Sequence, residues 1–255
     1  MEKYIIALDL DETLLKDDKT VSNRTLKTLQ ECKNKNCKIV ISSTRGYGSC
    51  EKIAKQISAD YVCCQSGNMI VEVDSENIIY QKAFSKPEIE TMLKEFTLYT
   101  NNIMVDSVKN LYGGVADETA TTWGVIPLKL EEIPQKQVFK VCVFYNEQFK
   151  DKIVEFCNNQ NYVCRPMRGA PFMLITQKDS DKYYALEKLA NILNVTPKQI
   201  VVFGDDDSDL LSIQKAGVGV AMSNSRESVL KNAKNIAESN NDDGVAKFLE
   251  KMFLI

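Results

Sequence analysis

Short apolar runs that end in acidic or hydroxyl residues recur along this chain. They are Tyr4-Ile5-Ile6-Ala7-Leu8, Lys38-Ile39-Val40-Ile41, Tyr61-Val62-Cys63-Cys64, Ile200-Val201-Val202-Phe203 and Val218-Gly219-Val220-Ala221-Met222. A run without polar alternation reads as a strand covered on both faces. Helical patterns separate the first three. Ser22 can cap a helix with Leu26 and Leu29 on one face, and residues 49–58 turn Ile53, Ala54 and Ile57 inward. Strand and helix in strict alternation dictate a parallel sheet with helical crossovers.

The pattern then changes. Met69 to Val73 and Ile78 to Gln81 read as a hairpin across Asp74-Ser75-Glu76-Asn77. Lys86 to Tyr99 reads as a helix, with Ile89, Met92, Leu93 and Phe96 on one side. Val138 to Tyr145, Tyr162 to Met167 and Phe172 to Thr176 read as strands, with a helix at Gln148 to Asn158. The first pattern returns with an amphipathic helix at Lys182 to Leu193. Thr196-Pro197-Lys198-Gln199 resembles a capping box with proline at the first helical position, and Asp242 to Leu254 reads as a closing helix. The fold class is therefore α/β, a Rossmann-like parallel core interrupted by an α+β insert. Residues 1–82 and 180–255 form the discontinuous core and 83–179 the insert. A chain of 255 residues is long enough for both.

The chain contains no histidine. Ser-His, Cys-His and His-metal chemistry are thereby removed. Catalysis must use carboxylates, lysine, hydroxyls, backbone amides or an oxygen-ligated metal. The eight cysteines form no Cys-x-x-Cys pair, and they read as reduced, mostly buried thiols. The apolar run at residues 4–8 is too short for a signal peptide, and no stretch has transmembrane length. The expected location is cytoplasmic. The net charge of −3 offers no general attraction to nucleic acid or membrane. No obligate protein partner is evident.

Asp9-Leu10-Asp11-Glu12-Thr13 is the sharpest chemical feature. Residues two apart in an extended segment point to one side, so Asp9 and Asp11 share a cavity while Leu10 points to the core. The C-terminal edge of an open α/β sheet is where ligands bind. Read alone, the same residues have a structural alternative as a loop or helix cap. Gly204-Asp205-Asp206-Asp207-Ser208-Asp209 follows another buried strand and belongs on that edge. Converging carboxylates raise one another's pKa unless a cation intervenes, and an all-oxygen donor set suits Mg²⁺. Ser42-Ser43-Thr44-Arg45 ends a third strand there, its hydroxyls and amides able to hold a phosphate oxygen or simply to cap a helix.

These pieces, in this order, resemble the haloacid dehalogenase superfamily of phosphotransferases. Asp9 to Thr13 resembles its Asp-x-Asp-x-Thr motif. Ser43 falls on the second-motif hydroxyl, Lys182 on the third-motif lysine, and Asp205 to Asp209 on the acidic fourth motif. The placement of the insert resembles a class II (IIB) cap. Gly219 to Asn224 and Asn240 to Ala246 resemble the Cof-type sugar-phosphatase branch.

The resemblance implies a Mg²⁺-dependent phosphatase of small phosphorylated metabolites, with sugar phosphates the expected class. Asp9 would be the nucleophile and Asp11 the general acid and base, its pKa raised by substrate phosphate and by Asp9. Ser43, Thr44, Lys182 and Ser208 would bind phosphate. Asp9, the Asp11 carbonyl, Asp205 and Asp209 would hold the metal, and Thr13 would fix the Asp9 loop. A phosphomutase and a non-catalytic phosphometabolite-binding regulator are the alternatives.

Two departures from the pattern stand out. Thr44 replaces a glycine, so a positive φ there would be strained. Ser208 replaces an asparagine with a shorter side chain that makes fewer hydrogen bonds. Arg165 and Arg168 read as surface arginines at a strand–loop junction, with a second anionic group of the substrate as the alternative contact.

Overall fold

The computed structural model describes residues 3–114, 123–166 and 172–255. Within them the chain divides into two compact units. Residues 1–45, 50–80 and 181–255 make the first, and residues 46–49 and 81–180 the second.

Strands β1 (Tyr4–Leu8), β2 (Cys37–Ser42), β3 (Tyr61–Cys64), β4 (Met69–Glu72) and β5 (Ile78–Gln81) come first. Then follow β6 (Ile103–Asp106), β7 (Leu111–Gly113), β8 (Ile126–Pro127), β9 (Lys140–Phe144), β10 (Val163–Pro166) and β11 (Phe172–Thr176). The chain closes with β12 (Ile200–Gly204), β13 (Val218–Met222) and β14 (Asn235–Ala237). The helices include α1 (Asn23–Asn34), α2 (Tyr47–Gln56), α3 (Lys86–Phe96), α4 (Lys150–Asn159) and α5 (Lys182–Leu193).

The first unit is built on an eight-stranded sheet in the order β14-β13-β12-β1-β2-β3-β4-β5. β14 through β3 run parallel, and β4 turns back antiparallel on β3. Ile5, Ile6, Ala7 and Leu8 are fully buried, as the apolar run requires. Leu8 lies beside Phe203 on one flank and Ile41 on the other. So β1, β2 and β12 end together, and the chain leaves β1 toward β2 on one side while β12 sits on the other. This is the switch point at which open α/β sheets bind ligands. Helices pack on the sheet through Ala185, Leu186 and Leu189 of α5 among others. Ser22 caps α1 by accepting a hydrogen bond from the Thr25 amide at 3.1 Å.

The second unit carries a six-stranded sheet, β10-β11-β9-β6-β7-β8. Ile89, Met92 and Phe96 of α3 and Ile153 and Cys157 of α4 pack with Ile103, Val105, Val141 and Val143 in one core. The periodicity at residues 86–99 and 138–145 marks α3 and β9, whereas β6, β7 and β8 carry no such signal. Met167 and Arg168 lie outside the described residues. Among the described residues no helix is long and apolar enough to cross a membrane.

Candidate active site

The site is made within the first unit, at the shared C-terminal ends of β1, β2 and β12. Asp9 leaves β1 with its amide donating to the Phe203 carbonyl at 3.1 Å. The next residues, Leu10–Leu14, close a single wide helical turn. Glu12 takes φ 57 inside that turn, a left-handed conformation that is uncommon for a non-glycine residue. The turn buries Leu10 and Leu14 and lets Asp9 and Asp11 line one cavity.

That cavity, about 240 Å³, is lined by Asp9, Asp11, Ser43, Thr44, Lys182, Asp205 and Ser208. Every phosphate-binding residue expected from the sequence therefore reaches it. Asp209 lies beneath, 1% exposed. Glu12, Asp206, Asn224 and Arg226 also line it.

Lys182 organises the buried charge. Its Nζ donates to Asp9 Oδ1 at 2.6 Å and to Asp209 Oδ1 at 2.8 Å. Asp181 caps the helix that begins with Lys182, and Gly67 makes room for that helix start. A Cβ on Gly67 would lie 2.0 Å from the Asp181 carbonyl oxygen, and φ there is +87°, which glycine alone tolerates freely. Gly204 plays the same part under Asp209, whose Cγ would sit 2.3 Å from a Cβ added at residue 204. Thr13 donates to Asp205 Oδ1 at 2.9 Å, so the hydroxyl ties the first acidic turn to the second. Asp9, Asp205 and Asp209 bring carboxylate oxygens within 4.8 Å of one another.

The lysine does not balance these carboxylates. Burial pushes Asp9 up to about 7; Lys182 opposes the shift, and Asp209 adds to it. Burial also pushes Asp205 to about 7, against the Thr13 hydrogen bond and with help from Asp209. Three hard, buried, underneutralised carboxylates fit a divalent cation bound through oxygen.

The protein's own neighbours of Asp11 act on its pKa in the direction opposite to that expected of a substrate phosphate. Burial would raise it, but hydrogen bonds from Arg45 and Lys19 outweigh that and hold the carboxyl below its ordinary range. Arg45 grips it with both arms, Nε to Oδ2 at 2.8 Å and Nη2 to Oδ1 at 2.6 Å. Lys19 Nζ adds a contact at 2.9 Å. Such a fork is among the strongest side-chain pairings. Thr44 is absent from the positive-φ residues, so the loss of glycine there strains nothing.

Arg45, Lys19, Asn224 and Arg226 are residues that motif reading did not place in the site. Asn224 Nδ2 donates to the Glu12 carbonyl at 2.7 Å, and its Oδ1 accepts from the Asn240 amide at 3.1 Å. Asn240 Nδ2 in turn donates to the Leu15 carbonyl at 3.0 Å. The two asparagines thus brace the strained turn from outside. Their stretches stand out in the sequence, but only as a resemblance and without a role.

The family profile of the haloacid dehalogenase-like hydrolases matches residues 6–249. The chain belongs to this family. Its match spans both flanks of the carboxylate site and the whole second unit. This hydrolase is 29% identical to a 5-amino-6-(5-phospho-D-ribitylamino)uracil phosphatase of Bacillus subtilis, over 98% of this chain and 97% of that protein. It is 27% identical to a putative phosphatase of the same organism, over 98% of each chain. It is a phosphoric monoester hydrolase, and those relatives are named phosphatases. Its fold matches a haloacid dehalogenase-like hydrolase from Bacteroides thetaiotaomicron with a TM-score of 0.86 at 22% identity, covering 99% of this chain and 100% of that one. It also matches a subclass IIB sugar phosphatase of the superfamily with a TM-score of 0.82 at 19% identity, covering 99% and 100%.

Proposed function

We propose that this hydrolase is a Mg²⁺-dependent phosphatase of small phosphorylated metabolites that works through an aspartyl-phosphate at Asp9. The observation that carries the proposal is the buried pairing of Asp9 with Lys182, beside Asp205 and Asp209. Lys182 orients one Asp9 oxygen, leaving the other to attack phosphorus as the bond to the leaving oxygen breaks. Ser43 and Thr44 offer hydroxyls, and Ser208 a further one, to the phosphoryl oxygens. Asp11 passes a proton to the leaving oxygen and later takes one from the attacking water. In the present arrangement Asp11 is held ionised, which suits its base half. The acid half requires it to leave Arg45 and bind a proton.

Asp9, Asp205 and Asp209, with the Asp11 carbonyl, would hold Mg²⁺. When bound, the ion would offset the charge of the carboxylates and the phosphoryl group. The second unit, taken as residues 83–179, would act as the cap that reads the leaving group. Sugar phosphates are the proposed substrate class. The ribityl phosphate in the name of the Bacillus subtilis relative is a polyol phosphate and fits within it. Seven of the eight cysteines are buried, in keeping with reduced thiols and a reducing cytoplasmic location.

Phosphate release from a panel of sugar, polyol and nucleotide phosphates, with Mg²⁺ and with chelator, tests this reading. Turnover confined to Mg²⁺ and to small sugar or polyol phosphates is the expected result. Phosphate moving to an isomeric sugar would indicate a mutase, and metabolite binding without turnover a regulator.

The metal site has its own signature in pH. Asp9 and Asp205 titrate near about 7 when folded, against an ordinary 3.8. The folded chain therefore holds extra protons between those values, and the contribution of these groups to stability falls as pH rises through that window. A cation binds the ionised forms. Mg²⁺ should thus raise the melting temperature more at pH 8 than at pH 5. Equal shifts, or a larger one at pH 5, would contradict the ligand assignment.

A further inference from the structure

Arg226 lines the same cavity as Asp9, Ser43 and Ser208. Its guanidinium is held by two carboxylates, one of them, Asp206, on the same cavity wall. Nε faces Asp206 Oδ1 at 2.9 Å, and Nη1 donates to Asp207 Oδ2 at 3.0 Å. The Asp207 carboxylate is itself held by the Ser228 hydroxyl at 2.5 Å. The Arg226 backbone N–H donates to the Asp205 carbonyl at 3.0 Å, which joins this residue to the acidic turn at the sheet edge. Among the described residues nothing accepts from Nη2, and the side chain is 39% exposed. Nε and Nη1 are each held by a carboxylate, and Nη2 is the nitrogen left to bind a ligand.

The same turn carries the departure at Ser208, where a hydroxyl stands in place of an amide. Ser208 lines the cavity but reaches less far and offers one donor. The cavity therefore loses an amide donor at residue 208 and has an arginine, oriented by Asp206 and Asp207, on the same wall.

Resting on the proposed phosphatase reading, we propose that Arg226 is a substrate-binding residue whose Nη2 donates to a phosphoryl oxygen, adding the second, longer-reaching donor that the short Ser208 side chain lacks. A charged donor to an anionic oxygen is a strong bond, and fixing the fork beforehand reduces the ordering cost. Ser208 and Arg226 would then act as a pair, so a change at one can be offset at the other.

The test uses p-nitrophenyl phosphate with Mg²⁺ on the full chain, with melting temperature recorded for every variant. Arg226→Ala should raise KM about tenfold or more, in line with loss of a charge-assisted hydrogen bond. Arg226→Lys keeps the contact with Asp206 and Asp207 but not the fork, and should stay well below wild type in kcat/KM. Ser208→Asn added to Arg226→Ala should recover much of the loss. An unchanged KM in Arg226→Ala would overturn the assignment. So would full activity in Arg226→Lys, because the arginine would then only brace the acidic turn. Loss confined to substrates with a second anionic group, with p-nitrophenyl phosphate unaffected, would overturn the phosphoryl contact as well. Failure of the phosphatase reading shows separately, as an inactive wild type or an active Asp9→Asn variant.

Discussion

Asp9→Asn should abolish turnover while leaving the fold intact. Removing a nucleophile that forms a covalent intermediate costs at least about 10⁴-fold in kcat in comparable enzymes. The fold should survive because the ionised Asp9 carboxylate is disfavoured where it sits. Burial has pushed its pKa to about 7, so a neutral amide of the same shape removes a buried charge. Lys182 keeps its partner in Asp209, 2.8 Å away. The melting temperature of Asp9→Asn without metal should therefore match or exceed that of wild type at pH 8. A variant that lost activity by unfolding would show the opposite, and one that kept turnover would remove Asp9 from the chemistry.

Lys182→Met should have the largest effect on stability. Lys182 is 3% exposed and is the shared cation for Asp9 and Asp209. Its charged form is strongly favoured: burial works against the charge, and the two aspartates outweigh burial. Removing one partner from a buried ion pair costs on the order of 3 kcal/mol, because the remaining charges stay buried and unbalanced. In metal-free protein the loss should be greatest at pH 8, where Asp9 is ionised, and smaller at pH 5, where Asp9 can take a proton. Urea denaturation at the two pH values measures this. Equal destabilisation at both would mean that Lys182 stabilises by packing rather than by charge. Phosphate turnover should fall with it, since Asp9 loses the group that orients it.

The core of the fold is legible because its strands are buried on both faces. Tyr4–Leu8 and Ile200–Gly204 announce themselves by apolar content alone, and the acidic residues that follow fall on one edge by topology. Asp9, Asp11 and Asp205 can be read from sequence for that reason, whereas Ser43 and Lys182 stand out only through the resemblance to the superfamily's motifs. β7 and β14 cannot, since Leu111–Gly113 and Asn235–Ala237 are three residues each and show no period. Nor can the partners of Asp11. Arg45 is visible in the second motif, but its grip on Asp11 depends on β1 and β2 ending side by side. Asn224 and Asn240 support the Glu12 turn from more than 200 residues away in sequence, a distance at which spacing carries no signal. The downward pull on Asp11 is hidden for the same reason, because Lys19 and Arg45 reach it only through the fold.

The aspartyl-phosphate at Asp9 is the centre of this account, and it can be seen directly. In Asp11→Asn the residue that activates the hydrolytic water is gone, while p-nitrophenyl phosphate has a leaving group stable enough to depart without an acid. Mixing the two in Mg²⁺ should release a burst of p-nitrophenol close to one equivalent per chain, followed by slow turnover. Mass spectrometry of the acid-quenched protein should then find the phosphoryl group on Asp9. p-Nitrophenol release without a burst, with no phosphorylated protein or with the group on another residue, would contradict it.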